Sequence, residues 1–197
     1  MKKALFIFML LLSTLFMNAQ EKIGVYHSSY FDVDQDVSAS YNSRNVLSMY
    51  IQVMGEHSKD MVNLSFDGDE ITEFINALKQ TKEKFLEWKA IAEQNNVKDM
   101  MKEFDIKFPR TTVAWYGSQW WFCFSHKLTP KFLVSETGKC IFLMSSKVHS
   151  SRNEYIDMTY YFALTEASDF DELIEAMDPV KAEAHFNKKQ DVQDLFK

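Results

Sequence analysis

The hydrophobic period of this chain changes abruptly at Asp67-Gly68, and that change constrains its fold more than any other feature. Before it, apolar and polar residues alternate, the period-two signature of strands with one buried face. Ile23 and Val25 alternate with Gly24 and Tyr26 in a first strand over 23–31, and a short strand covers 37–41. Within 46–54, Leu47, Met49, Ile51 and Val53 stand opposite Val46, Ser48, Tyr50 and Gln52, and Val62, Leu64 and Phe66 share one face of 61–66. After the break, Ile71, Phe74, Ile75, Leu78, Phe85 and Ala92 recur at helical spacing. They predict one long helix from about Asp69 to Gln94, with Trp88 at the edge of its stripe. Asp69 and Glu70 suit the positive end of a helix, and Asn95-Asn96 offers a stop.

The second half repeats this plan. A connector over 97–109, with a short helix around Lys98–Glu103, ends at Pro109. Strands follow over 111–116, 119–126, 132–136, 139–148 and 155–164. Gly117-Ser118 reads as a two-residue hairpin loop with Gly first, as a type II′ turn requires, and Glu136-Thr137-Gly138-Lys139 as a second turn. Ser168 is the expected cap of a helix with Asp171 three residues on, whose stripe is Phe170, Leu173, Ile174 and Met177. Asp178-Pro179 opens a further short helix, and the polar tail from Asn187 to Lys197 reads as frayed. Only 5 Gly and 3 Pro in 197 residues leave little room for long loops or low-complexity segments.

The expected fold class is therefore α+β, an antiparallel sheet in two segments, each followed by a packed helix. It forms a single domain over 20–187 with two similar halves, 20–96 and 110–187, and a tail at 188–197. The two helix openings, Ile71–Leu78 and Phe170–Met177, coincide at Glu, Ile and Ala and are apolar at every stripe position, as a tandem duplication would leave them. This strands-then-helix repeat resembles the topology of the Whirly and PUR-alpha nucleic-acid binders. The resemblance covers element order alone, rests on no sequence motif and carries no function to this chain.

Residues 1–19 read as a secretory signal peptide. Met1-Lys2-Lys3 gives a charged start, Ala4–Met17 an apolar run broken only by Ser13 and Thr14, and Ala19 a small residue for cleavage. The run is shorter than the ~20 residues a membrane helix needs, so the expectation is a periplasmic or secreted chain with no stable membrane insertion once the leader is removed. No Cys follows the leader to take a lipid anchor, since position 20 is Gln20. The whole chain has 22 basic and 28 acidic residues, a net charge of −6; without Lys2 and Lys3 the balance is 20 against 28, or −8. Such a surface repels phosphate backbones, and with export this argues against nucleic acid as a partner.

Chemistry-bearing clusters are few. Asp32-Val33-Asp34-Gln35-Asp36 begins like a calcium loop, but Val37 and Ser43 stand where an EF-hand needs Gly and Glu. Cys123 and Cys140 are even in number, yet sequential pairing of the strands at 119–126, 132–136 and 139–148 would hold them two strand spacings apart, about 10 Å and beyond disulfide reach. Ser125 and His126 are neighbours on a strand and point to opposite faces, so they form no nucleophile–base pair. His149 lies among serines without a nucleophile-elbow motif, and His27, His57 and His185 lack ligand-spaced partners. Asp67, Glu70 and Glu73 could pair as acid and base, but the helix dipole alone accounts for acids there. No catalytic residue, metal ligand or cofactor is assigned.

The hairpin over 111–126 carries the candidate binding residues. With a two-residue loop, Tyr116 faces Gln119, Trp115 faces Trp120, and Ala114 faces Trp121. Val113, Trp115, Trp120, Phe122 and Phe124 then form the core face, leaving Tyr116 and Trp121 as an aromatic platform on the other. The function expected is an exported, non-catalytic binding or interaction domain whose ligand is a glycan or a protein. The alternative is a hydrolase whose catalytic residues are scattered along the chain.

Overall fold

In the computed structural model, which describes residues 20–57 and 60–194, the alternating segments pair into two antiparallel sheets. The leader reading at 1–19 lies outside the described residues. The first sheet opens with a meander: β1 (Glu21–Ser28), β2 (Val33–Tyr41), β3 (Leu47–Val53) and β4 (Val62–Asp67). Gly68, at φ 54°, ends β4 in a backbone region that favours glycine, and α1 (Asp69–Gln94) begins at the next residue. After α1 come β5 (Met100–Glu103), β6 (Arg110–Tyr116), β7 (Trp120–Lys127), β8 (Lys131–Val134), β9 (Cys140–Ser150) and β10 (Asn153–Leu164). Helices α2 (Ala167–Ala176) and α3 (Pro179–Asp194) close the chain. The class is α+β, with sheet segments followed by helices.

Strand order in the sheets departs from order in the chain. The six-stranded sheet runs β1-β2-β3-β4-β6-β7 and the four-stranded sheet β10-β9-β8-β5. Strands β6 and β7, which follow α1 in sequence, extend the first sheet by pairing β6 with β4. The two sheets meet where Met54 and Tyr161 exchange backbone hydrogen bonds, and where Ser151 donates its N–H to the Phe122 carbonyl on the β7 edge.

The long helix is the keystone of the core. Phe74, near its start, stacks on Phe66 of the first sheet with ring centroids 4.4 Å apart, while Phe85 and Trp88 meet Phe132 of the second at 5.7 and 5.6 Å. One contiguous apolar cluster thus runs from Val37, Met49 and Ile51 through Leu78 to Phe142 and Phe162. The inward-facing residues of β3 and β4 are those the alternation assigned, and all are buried.

Three local expectations are corrected. Lys98–Glu103 is not helical: Met100–Glu103 is the edge strand β5, paired residue for residue with Lys131–Val134. Its helix-forming composition is overridden by a partner some thirty residues away, as tertiary context commonly does to weak propensity. The α2 cap is Glu166 rather than Ser168. Asp169, almost wholly buried, accepts the Thr165 and Glu166 backbone N–H groups and the Ser29 hydroxyl at 2.6 Å, joining the helix start to the β1–β2 turn. Finally, α3 continues through Asp194, where a frayed tail was expected.

Candidate binding face

The register of the β6–β7 hairpin decides which aromatic residues meet solvent. Tyr116 pairs with Trp120, Trp115 with Trp121 and Ala114 with Phe122, so the loop holds three residues, Gly117, Ser118 and Gln119. The two-residue reading placed every β7 partner one position early, and a slip of one residue exchanges the faces of a strand. Trp115 is buried and Trp121 packs half-buried against the core, whereas Trp120, assigned to the core from sequence, lies outside. Tyr116, Trp120, Phe122 and Phe124 form the outward face of the hairpin, and Phe124 is 58% exposed. The aromatic platform is therefore present but built from a different set: of the expected pair, Tyr116 belongs to it and Trp121 turns to the other side.

The platform is ordered. The Tyr116 and Trp120 rings meet edge to face at 5.5 Å, and Phe122 and Phe124 lie parallel at 5.8 Å with only 2° between their planes. A shallow hollow of about 230 Å³ along the β7 edge is lined by Trp120, Trp121, Phe122, Phe124 and Arg152. Ser151 secures the strand beneath, its hydroxyl accepting the Phe124 N–H at 3.0 Å and its own N–H reaching the Phe122 carbonyl at 2.8 Å. A bulge between Thr111 and Val113, with Ser125 at φ 56°, restores the inward direction of His126 beyond it.

Registers across the sheet extend this face beyond the hairpin. One row reads Gln52, Asn63, Ala114 and Phe122, and the next Ser38, Tyr50, Ser65 and Thr112, with Thr112 opposite the bulge that contains Phe124 and Ser125. The rows pass from hydroxyl and amide side chains in the middle of the sheet to aromatic rings at its β7 edge. The helices α1 and α2 cover the opposite face, where Phe66 and Gly24 lie; an added Cβ at Gly24 would stand 3.0 Å from Ala176 in α2.

The remaining sequence candidates do not converge. His126 reaches the Tyr160 hydroxyl at 3.1 Å, and burial, with help from Arg110, holds its pKa below the ordinary histidine value. Burial pushes the Cys123 thiol up, and burial with nearby Glu93 does the same to Cys140, the reverse of what a reactive thiolate needs. The two cysteines are free. They lie in different sheets, because β7 does not pair with β8 as the sequential reading assumed. Asp34 and Asp36 lie on β2 rather than in a loop, and are taken by His27 at 2.9 Å and Lys22 at 2.6 Å. Among the described residues no group of three or more His, Cys, Asp or Glu side chains could hold a metal ion. Glu70 accepts the Asp67 N–H at 3.1 Å, closing the turn into α1. A larger hollow of about 340 Å³ between α1 and Lys107–Pro109 is of mixed polar and apolar lining and brings no nucleophile and base together.

No protein-family model, curated protein or solved structure matches this chain. Among the described residues no helix is long and apolar enough to cross a membrane.

Proposed function

We propose that this protein is an exported binding or interaction domain that engages its ligand through the outer face of the six-stranded sheet, with Tyr116, Trp120, Phe122 and Phe124 as the contact edge. The observation that carries this reading is four large aromatic side chains, 37% to 58% exposed, on one face of one hairpin. Scattered exposed apolar residues are ordinary, but a contiguous aromatic group marks a contact surface. Nothing in the core requires these rings outside, since Trp115 and Trp121 already fill the inner side of the same two strands. The periplasm or the exterior is the setting proposed, from the leader alone.

A double variant, Trp120→Ala with Phe124→Ala, tests the reading. Immobilised wild-type protein incubated with the native cell envelope should retain material that the variant does not. The variant's thermal midpoint should stay close to wild type, because neither ring fills the core. Equal retention by both proteins would end the proposal. Intact-mass measurement of the processed protein tests export separately: cleavage after Ala19 is the expected result.

A further inference from the structure

We infer that the ligand of this face is an uncharged polysaccharide lying across the strands, an assignment that rests on the outer face being the binding surface. The two central rows carry no charged side chain from β3 to β7. Gln52 and Asn63 offer amides, Ser65 and Thr112 hydroxyls, and Phe122 and Phe124 ring faces. Charges stand at the margins: Asp34 and Asp36 at the β2 end, Asp67 at the end of β4, and Arg110, Lys127 and Arg152 near β7. From β3 to β7 is three strand spacings, about 14 Å, and the rows lie about 7 Å apart. That is a flat surface long enough for several sugar rings rather than a pocket for one.

Sugars present both polarities the face offers. Their hydroxyls donate and accept, and their C–H faces stack on aromatic rings. Among the described residues no intramolecular hydrogen bond engages the Asn63 amide or the Thr112 hydroxyl, though both side chains are partly exposed on the open sheet. The Gln52 carbonyl oxygen accepts the Asp36 N–H, and among the described residues its amide N–H groups have no hydrogen-bond partner. An apolar protein partner would leave these groups dry and unpaired, at a cost for each. An acidic polymer would find no cation within the two rows, only Arg110, Lys127 and Arg152 beyond their β7 end, on a chain of net charge −6. A neutral polyhydroxylated chain satisfies the middle of the sheet and its aromatic edge together.

Affinity electrophoresis of the full-length mature protein tests this directly. Native gels would contain hydroxyethylcellulose, xylan, mannan or soluble starch, with polygalacturonate as the polyanion. Retardation by at least one neutral polymer and none by polygalacturonate is the expected result. Asn63→Ala with Thr112→Val, and separately Trp120→Ala with Phe124→Ala, should each weaken retardation about tenfold, with melting midpoints held near wild type. Failure of every neutral polymer to retard the protein overturns the inference, as does equal retardation by polygalacturonate. Retardation lost with the aromatic pair but indifferent to Asn63 and Thr112 overturns the two-row account. Should no polymer bind while envelope material still depends on Trp120 and Phe124, the polysaccharide fails and the aromatic contact stands. Loss of both dependences removes both.

Discussion

At the scale of the residue, the exposed face of the β6–β7 hairpin depends on how three aromatic side chains are turned. Tyr116, Trp120 and Trp121 are visible to any inspection, but which tryptophan meets solvent depends on the length of one loop. Gly117 suggested a two-residue turn; adding Gln119 to the loop turns Trp121 inward and Trp120 outward. Val113 and Trp115 face the core in either register, which is why β6 was legible and β7 was not. His126 adds a pH dependence. Its folded-state pKa lies below its unfolded value, so the unfolded chain binds the proton more readily. Its contribution to stability is intact above the ordinary histidine value near 6.5 and is lost as pH falls through and below it. The denaturation midpoint should fall between about pH 7.5 and about pH 5.5, and His126→Gln should lessen that fall. His27 opposes the effect: its hydrogen bond to Asp34 raises its pKa, so it adds stability on the acid side that is lost as pH rises through the folded value.

Elements with a strong period of their own were readable. Helix α1 spans Asp69–Gln94 as the stripe required, and every stripe residue named from Ile71 to Ala92 is buried. Leu78 is inaccessible to solvent at the centre of that stripe. Leu78→Ala should lower unfolding free energy by about 2–5 kcal/mol, read from denaturant titration. An unchanged midpoint would mean the helix is not seated on the sheets as described. Elements whose identity is imposed from outside were not readable. Strand β5 takes its conformation from Lys131–Val134, and the true start of α2 is fixed by Asp169 rather than by the more familiar capping residue Ser168. The partner of β5 cannot be found by looking along the local sequence, whereas Glu166 and Asp169 stand at capping-box spacing, with Glu166 in place of the usual Ser or Thr.

At the scale of the molecule, composition and period gave α+β correctly, but the division of strands between sheets lay beyond them. The sequence suggested that each half closes its own sheet with its own helix. The structure instead sends β6 across to β4 and leaves β5, β8, β9 and β10 to the second sheet, because β4 offers an unpaired edge after α1 packs over its inner face. Long-range polar ties then lock the arrangement. Asp169 holds Ser29, Glu172 accepts the His27 N–H, and the Ser28 hydroxyl donates to the Ala163 carbonyl at 2.8 Å. Asp169→Ala would strip the buried Thr165 N–H and Ser29 of their acceptor and should destabilise the protein by about 1–3 kcal/mol. Hydrogen exchange should quicken in the β1–β2 turn and the first turn of α2 together, whereas a change confined to α2 would show that the turn is held by other contacts.

The tie between Ser29 and Asp169 also sets a timetable. The first strand leaves the ribosome some 140 residues before the carboxylate that its turn binds. Closing so wide a separation late is slow, because chain entropy must be given up before the contact returns anything. An emerging chain of this topology therefore cannot complete its native contacts until α2 has been made, however early the β1–β4 meander pairs.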